Sequence, residues 1–395
     1  MRRLSSRLMG VVVRRVRKVM STVVVTLAVI GGIGGLVGSA AAAPPPAFTI
    51  SVSGLPNTMG SVSCNDATHC LATGSGGLAL TFDGMAWSPV ASIPSSAGFL
   101  RSDSCTADGA CLIGGDATAW YRPTQGGTWQ QVPFAFPRGT VFGSHSQWDV
   151  MFNDLSCVSG TWCMAVGQHV VNNAGWWRPT ILIWNGTRFT PMTPPAVPAY
   201  GSSWYDGVSC WASTGCMVIG DYINKSGHQA SYAARWNGSS WHLLPLPTQN
   251  GTVEEGYSPV SCRSVWFCMA TGGYAKSSPV NGLEAAIWNG TKWNLIAMPR
   301  PAGSDAPVAA AALSCPSTTY CVDTGEINLA GSSPQALFAT AWNGSGWTDV
   351  SPPRINGTEG AIWWVSCPTI HECWGIGDYQ ATPTTRDGFI TEQTP

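Results

Sequence analysis

Fourteen cysteines lie along this chain of 395 residues as seven pairs with the same C-x5-C spacing. The first cysteines of successive pairs are 41, 52, 53, 52, 53 and 52 residues apart, which indicates seven copies of one structural unit. A period of about 50 residues is too long for most helical repeats and fits a four-stranded β-propeller blade. The pairs are Cys64 with Cys70, Cys105 with Cys111, Cys157 with Cys163, Cys210 with Cys216, Cys262 with Cys268, Cys315 with Cys321, and Cys367 with Cys373.

Other features recur in phase with the cysteines. A Leu/Val-Ser-Cys run opens most copies, as in Val208-Ser209-Cys210. A glycine follows every second cysteine by four residues, and a glycine so regularly placed in a strand indicates that another part of the chain approaches it closely. These glycines are Gly74, Gly115, Gly167, Gly220, Gly272, Gly325 and Gly377.

Tight turns follow at regular positions. Four copies contain Trp-Asn-Gly, beginning at Trp184, Trp236, Trp288 and Trp342, and the first copy has Phe82-Asp83-Gly84 instead. Asn-Gly between aromatic-rich runs predicts a β-hairpin, because hairpin turns need residues that tolerate positive φ. One copy therefore predicts strand a ending at the first Cys, strand b starting at the second, strand c ending at the Trp, and strand d after the turn.

The two ends of the chain predict a closed ring. The last copy has a third strand around Phe389-Ile390 but stops without a fourth, whereas Phe48–Val52 alternates like a strand ahead of the first copy. We therefore expect residues from about 46 to 54 to complete the last blade, which leaves no open edge in the ring. The predicted fold is an all-β, seven-bladed propeller with four-stranded blades, closed by an N-terminal strand.

The N-terminus predicts export. Residues 1–20 hold seven basic side chains and no acidic one, Val23–Val37 is apolar, and Ser39–Ala43 supplies small residues for cleavage. The segment Thr22–Ala43 is also long enough to span a bilayer, so an uncleaved anchor is the alternative, and the only expected contact with a membrane. Residues 1–43 are thus a signal peptide or anchor, and residues 44–395 a single propeller domain that is secreted or held in the cell envelope.

Export favours disulfide bonds over zinc for the C-x5-C pairs. Disulfides persist outside the cytosol, and a zinc site in each copy would need further ligands, yet no histidine recurs in register. Each bridge closes a short loop, so its entropic stabilisation is about 2–2.5 kcal/mol. On this interpretation the cysteine pairs form structural disulfide bonds with no redox role.

Charge argues against a nucleic-acid partner. Cleavage of residues 1–43 removes seven of the 20 basic side chains and none of the 21 acidic ones, which leaves 13 against 21 and a formal net charge of −8. Proteins that bind nucleic acid carry a basic footprint instead.

The combined pattern S-C-x5-C-x3-G, W-N-G-x-x-W and a proline-rich strand end resembles the repeat of exported β-propeller proteins of actinobacteria, over roughly residues 46–395. These proteins mostly lack an assigned activity. The Asn-Gly-x-x-Trp turns are more distantly similar to the Asp-box hairpins of sialidase-type propellers, although Asp83 and Gly84 are adjacent where the Asp-box has a residue between them. Asp-boxes are structural turns, so this resemblance implies no sialidase activity.

Long, variable b–c and d–a connections should share one face of such a propeller, here called the variable face, and binding residues concentrate on such loops. Aromatic rings beside carboxylates there suit recognition of a sugar or a peptide. The alternative is that these rings only cap the core between blades. The candidates are Trp148, Asp149, Asp154, Trp204, Tyr205, Asp206, Asp221, Glu254, Tyr257, Tyr274, Glu326, Trp363, Trp364 and Asp378.

These features favour a monomeric, non-catalytic propeller that binds a glycan or an extracellular protein. No cofactor is expected, and His145, His169 and His228 are too scattered to predict a metal site. The alternative is an extracellular hydrolase of the glycosidase type, which needs two carboxyl groups about 5–10 Å apart in one pocket. Adjacent Glu254 and Glu255 should point to opposite sides of a strand and so do not form such a pair. A third possibility is a structural or interaction protein of the cell envelope with a flat variable face.

Overall fold

The computed structural model describes residues 46–56, 58–116, 118–133, 150–171, 176–276, 281–299, 304–329, 335–355 and 359–394. The signal peptide or anchor predicted at residues 1–43 lies outside them. Within these ranges, no helix combines the length and apolar character that crossing a membrane would require.

The described residues form 28 strands and two short 3-10 helices. In chain order they are β1 (Ala47–Leu55), β2 (Met59–Asp66), β3 (His69–Gly74), η1 (Ser75–Gly77), β4 (Ala79–Phe82), β5 (Trp87–Pro89), η2 (Ser95–Ala97), β6 (Leu100–Cys105), β7 (Cys111–Gly115), β8 (Ala119–Arg122), β9 (Gln130–Gln131), β10 (Val150–Ser159), β11 (Trp162–Val171), β12 (Trp176–Trp184), β13 (Phe189–Met192), β14 (Ser203–Ala212), β15 (Gly215–Ile223), β16 (Gln229–Trp236), β17 (Trp241–Leu244), β18 (Thr252–Ser264), β19 (Phe267–Lys276), β20 (Asn281–Trp288), β21 (Trp293–Ile296), β22 (Ser304–Ser317), β23 (Tyr320–Leu329), β24 (Gln335–Trp342), β25 (Trp347–Val350), β26 (Gly360–Thr369), β27 (Glu372–Thr382) and β28 (Thr385–Thr394).

These strands form seven antiparallel four-stranded sheets, the blades of a propeller. Blades 1 to 6 each join four consecutive strands, from β2–β5 to β22–β25, and blade 7 joins β26, β27, β28 and β1. The predicted all-β, seven-bladed architecture is therefore confirmed.

The N-terminal strand closes the ring as predicted. β1 pairs antiparallel with β28, with Phe48 opposite Gln393 and Ile50 opposite Thr391. The Phe48 amide also donates a 2.9 Å hydrogen bond to the Ser351 carbonyl of blade 6. The first strand thus links the last two blades without a covalent bond.

All seven C-x5-C pairs are disulfide-bonded. Each bond joins strands a and b of one blade, with Cα–Cα distances of 4.0–4.1 Å. The bridges therefore stabilise individual blades and do not link one blade to the next. Their number fits a propeller that folds in an oxidising, extracellular environment.

The serine before each first cysteine links neighbouring blades. Its hydroxyl oxygen accepts a hydrogen bond of 2.9–3.0 Å from the backbone N–H of the first cysteine in the next blade. The series runs through all seven blades and returns from Ser366 to Cys64, so it closes on itself. The serine acceptors are Ser63, Ser104, Ser156, Ser209, Ser261, Ser314 and Ser366.

Replacement of Ser209 with Ala is expected to lower the free energy of unfolding by about 1–3 kcal/mol, because the Cys262 N–H loses its acceptor. Ser226→Ala, at an exposed site in a loop, should change it by less than about 0.5 kcal/mol. Thermal melting of both oxidised variants checks this. Equal melting temperatures would show that this ring of serine hydrogen bonds, the serine ring, makes no measurable contribution to the stability of the propeller.

The Trp-Asn-Gly segments form the predicted hairpins, but each loop contains four residues. Trp184 pairs with Phe189 across the loop, and Gly186 adopts φ 92°. The Asn185 side-chain oxygen accepts hydrogen bonds from the N–H and hydroxyl of Thr187 and from the N–H of Arg188. This contact explains why a Ser or Thr follows Asn-Gly in these turns.

The a–b and c–d turns lie on one face, as the topology predicts. A side-chain atom on Gly186 of the c–d turn would lie 3.2 Å from Thr161 of the a–b turn. The buried Trp184 indole donates a 2.9 Å hydrogen bond to the Gly160 carbonyl in the same a–b turn. The b–c and d–a connections therefore emerge on the opposite, variable face.

Candidate functional site at the channel mouth

Every innermost strand contains a β-bulge four residues before its first cysteine. A bulge leaves a residue outside the ladder and redirects its side chain. In this ring all the bulge residues line one central cavity of about 710 Å³. They are Gly60, Arg101, Asn153, Asp206, Ser258 with Pro259, Ala311 and Trp363.

The recurring strand-b glycine lies opposite each bulge. The residue that follows this glycine lies at the same end of the central cavity, which we call the channel mouth. In four blades the bulge residue contacts the residue that follows the strand-b glycine of the same blade. The pairs are an Arg101–Asp116 ion pair, a 3.3 Å amide contact from Asn153 to Gln168, an Asp206–Asp221 carboxyl pair, and a 3.0 Å bond from the Trp363 indole to Asp378.

Blades 1, 5 and 6 instead carry small bulge residues, namely Gly60, Ser258 and Ala311. The channel mouth is therefore lined unevenly. A second cavity of about 360 Å³ lies over the small residues of blades 5 and 6, including Gly273 and Ala310. Its polar wall is formed by Trp204, Asp206, Asp221 and Gln229 of blade 4, and we call this cavity the blade-4 pocket.

Asp206 and Asp221 share a hydrogen bond, which requires a proton on one of them. Burial raises the pKa of both carboxyls, and their mutual repulsion raises that of Asp206 further. Asp221 also accepts hydrogen bonds from the Ser231 hydroxyl at 2.5 Å and the Gln229 amide at 2.6 Å. The Trp204 indole lies beside Asp206 and opposes the rise in the Asp206 pKa. The pair thus holds one shared proton between its two carboxyls and presents acceptor oxygens to a ligand.

Two more buried carboxyls lie behind this pair, between blades 4 and 5. Glu255 accepts a 3.4 Å hydrogen bond from the Ser231 N–H, and burial raises its pKa to about 7. Glu284 is fully buried, and burial together with the Glu255 charge raises its pKa to about 8. Together with Asp206 and Asp221 they form what we call the carboxyl cluster.

The opposite side of the channel is charged. Asp378 accepts a 2.7 Å hydrogen bond from the Arg386 Nε as well as the bond from Trp363. Burial raises the pKa of nearby Glu326, and the Arg386 charge opposes that rise. The mouth therefore combines a proton-sharing acid pair on blade 4 with an Asp–Arg ion pair on blade 7.

Exposed aromatic rings extend the site outward across blades 3 and 4. Trp177 is 37% exposed and packs edge to face against Trp204, with ring centroids 5.8 Å apart. Trp176 and Tyr200 are 42% and 61% exposed. An aromatic surface thus adjoins the blade-4 pocket.

Many of the residues predicted from the sequence meet at the channel mouth. Trp204, Asp206 and Asp221 form the wall of the blade-4 pocket, and the others line the central cavity. The Asp154 carboxylate is also held by the N–H groups of Leu155 and Val208, a link between blades 3 and 4. The residues that line the central cavity are Asp154, Asp206, Glu326, Trp363, Trp364 and Asp378.

The remaining predicted residues lie elsewhere. Tyr205 and Tyr257 are fully buried, so their rings belong to the core between blades, which was the alternative. Glu254 is exposed and lies 3.4 Å from His228. Tyr274 packs against Lys276, with 5.5 Å from the ring centroid to Nζ. Trp148 and Asp149 lie outside the described residues.

Sequence reasoning missed several channel residues, namely Arg101, Asp116, Asn153, Gln168 and Arg386. A signal for most of them was present, because the bulge residue always lies four residues before the first cysteine and its partner five residues after the second. It also missed the aromatic residues Trp176, Trp177 and Tyr200. In the described part of the chain, no group of three or more His, Cys, Asp or Glu side chains is arranged to hold a metal ion.

No protein-family model matches the chain, and no curated protein matches it in sequence. Several solved propellers are similar in structure. "YCF48 bound to D1 peptide" is 13% identical with a TM-score of 0.53, over 90% of this chain and 98% of that chain. YCF48 from Cyanidioschyzon merolae is 10% identical with a TM-score of 0.54, over 88% and 98%. The WD40 repeats of RRP9 are 10% identical with a TM-score of 0.59, over 89% and 99%. At these identities the similarity shows the fold alone.

Proposed function

We propose that this protein is an exported, non-catalytic propeller that binds a glycan at the channel mouth. The observation that carries this proposal is the blade-4 pocket, where an acid pair, an amide and an indole converge beside small residues. Its volume of about 360 Å³ is within the range of small-ligand sites.

The polar groups of this pocket suit hydroxyl groups. The Asp206–Asp221 pair shares one proton and offers acceptor oxygens without a full charge on both residues, while the Gln229 amide and the Trp204 indole supply N–H groups. Sugar hydroxyls both donate and accept, so they can satisfy such a set without leaving a buried group unpaired.

The exposed rings of Trp176 and Trp177 support the same ligand class. A flat aromatic ring covers the apolar face of a sugar while the hydroxyls at the sugar's rim bond to polar neighbours. Because Trp177 contacts Trp204, and Trp204 lies beside Asp206 in the pocket wall, stacking and hydroxyl recognition are adjacent.

Export is part of the proposal. Seven disulfides suit an oxidising compartment, and the basic and apolar N-terminus with its small-residue end supplies the signal or anchor. The resemblance to exported actinobacterial propellers points the same way.

Two alternatives to glycan binding, peptide binding and glycoside hydrolysis, can be distinguished from it by experiment. A peptide ligand is suggested by the structurally similar propeller that carries a D1 peptide. A glycosidase needs carboxyl groups about 5–10 Å apart, whereas Asp206 and Asp221 are in direct hydrogen-bond contact, so this pair does not supply that spacing.

A glycan-array screen of the oxidised protein tests the proposal. We expect saturable binding to a sugar, and Trp204→Ala should weaken it about tenfold or more, because a ring and an indole donor are lost. The matched control is Trp266→Ala, which removes a 67% exposed ring on the opposite face and should leave the affinity unchanged.

The alternatives give different results. Binding to peptides with no glycan signal would replace the glycan proposal with peptide recognition. Release of new reducing ends from an arrayed polysaccharide would instead establish a hydrolase.

A further inference from the structure

A separate cavity of about 870 Å³ lies between blades 3 and 4, away from the central channel. It forms because the outer strand β13 has four residues and pairs only with Ile181–Trp184 of the longer β12. The rest of the outer edge of β12, from Arg178 to Thr180, lines the cavity, and the connection from Thr193 to Ala199 covers it.

The cavity wall is mainly apolar. Ile181, Met192 and Val197 contribute aliphatic surface, and Pro191, Pro194 and Pro195 add rigid rings. Its polar lining includes buried His169 and Thr180, whose side chains hydrogen-bond to each other at 2.7 Å, and burial lowers the pKa of His169 to about 4. At neutral pH this histidine adds no positive charge.

Arg178 is the charged residue of this lining. Its Nη1 donates to the carbonyls of Trp177 and Gly201, and its guanidinium lies 5.4 Å from the Trp176 ring centroid. Within the described part of the chain, no carboxylate lies within ion-pair distance of it, and none lines the cavity. Among the described residues, Nε and Nη2 have no hydrogen-bond acceptor, and these two atoms form the edge of a guanidinium that binds one carboxylate through two hydrogen bonds.

We propose that this cavity is a binding site for a long-chain carboxylate, with the acyl chain on the aliphatic and proline wall and the carboxylate on Arg178. A cation in the lining of an apolar cavity of this size matches an amphiphile with one negative end. This site is independent of the blade-4 pocket and of the glycan proposal.

Calorimetric titration with dodecanoate, dodecan-1-ol and dodecylammonium tests the site on the full oxidised protein, with the two ionic probes below their micelle concentrations and the alcohol below its solubility limit. We expect dodecanoate to bind about 10- to 100-fold more tightly than dodecan-1-ol, because charge-assisted hydrogen bonds are lost with the alcohol. Dodecylammonium should bind most weakly. Similar affinities for all three probes, or no dodecanoate binding, would overturn the proposal.

Variants locate the site. Arg178→Gln should weaken dodecanoate binding to the level of dodecan-1-ol, and Arg178→Lys should fall between, because Lys keeps the charge but loses the two-donor edge. Ala196→Trp should fill the cavity and weaken both probes, which covers the case in which Arg178 variants fold poorly. Arg188→Gln, in the exposed c–d turn of the same blade, is the matched control. Trp204→Ala, in the blade-4 pocket, should leave the affinity for dodecanoate unchanged. If both Arg178→Gln and Ala196→Trp bind dodecanoate with wild-type affinity, the ligand binds elsewhere and the proposal is wrong.

Discussion

Replacement of Gly377 with Ala is expected to prevent blade 7 from forming correctly. An added Cβ would lie 1.9 Å from the Ala361 carbonyl oxygen and 2.8 Å from the Phe389 ring. The nearer clash is with backbone opposite a bulge, so no side-chain rotation relieves it. We expect a loss of at least about 3 kcal/mol in the free energy of unfolding, seen as little folded protein or a strongly lowered melting temperature.

Two further variants show whether the carbonyl contact causes the loss. Gly167→Ala repeats the clash in blade 3, at 2.0 Å from the Met151 carbonyl oxygen, and should be similarly damaging. Gly346→Ala is the matched control, because its Cβ would meet nothing within 4 Å, and it should change stability by less than about 0.5 kcal/mol. If Gly377→Ala melts close to Gly346→Ala, the glycine has no packing role.

These glycines show why the fold could be predicted from the sequence. A contact made once in each blade repeats at a fixed distance from the cysteines, so the need for close approach is visible as periodicity. The ring closure was predictable for a similar reason, because the last copy lacked one strand and the N-terminus supplied it. The serine ring also lay in the pattern, but its hydrogen bonds join different blades, and spacing alone does not identify such partners.

The site was less predictable because bulges interrupt strand alternation. Tyr205 and Gly207 pair with the consecutive residues Gly220 and Ile219, so Asp206 is left outside the ladder and lines the channel. Such a bulge shifts the alternation of every residue beyond it, so sequence alone could not assign the side chains on its two sides to faces. The pairing of Asp206 with Asp221 depends on the same bulge. The aromatic surface around Trp177 depends on how blade 3 meets blade 4, which the repeat pattern does not encode.

The protein is expected to become less stable as the pH rises from about 5 to 8. The four carboxyls of the carboxyl cluster have raised pKa values because of burial, and no basic side chain is among the groups that act on them in the described chain. Asp103 and Asp154 in blades 2 and 3 have pKa values that burial raises to about 8 and about 7. Their effects have the same sign.

The loss of stability with rising pH follows from the number of protons that the folded and unfolded states bind. An acid whose pKa is higher in the folded state holds its proton there after the unfolded chain has released it, so stability is greatest below the unfolded value and falls up to the folded one. For Glu284 this window runs from 4.5 to about 8. A pKa that differs by one between the folded and unfolded states corresponds to about 1.4 kcal/mol, so the combined loss should amount to several kcal/mol. Melting temperatures measured from pH 5 to 9 check the trend.

Glu284→Gln separates the carboxyl cluster from other sources of pH dependence. The amide has nearly the shape of the protonated acid but cannot ionise, so the variant should lose less stability than the wild type between pH 5 and 8. Glu254→Gln removes an exposed carboxyl from the same blade and should follow the wild-type curve. A melting temperature that stays level or rises over this range would mean that the cluster is ionised and stabilised at neutral pH. Asp206 and Asp221 would then present two charged carboxylates, a pair that favours a cationic ligand over the neutral hydroxyl groups proposed for the blade-4 pocket.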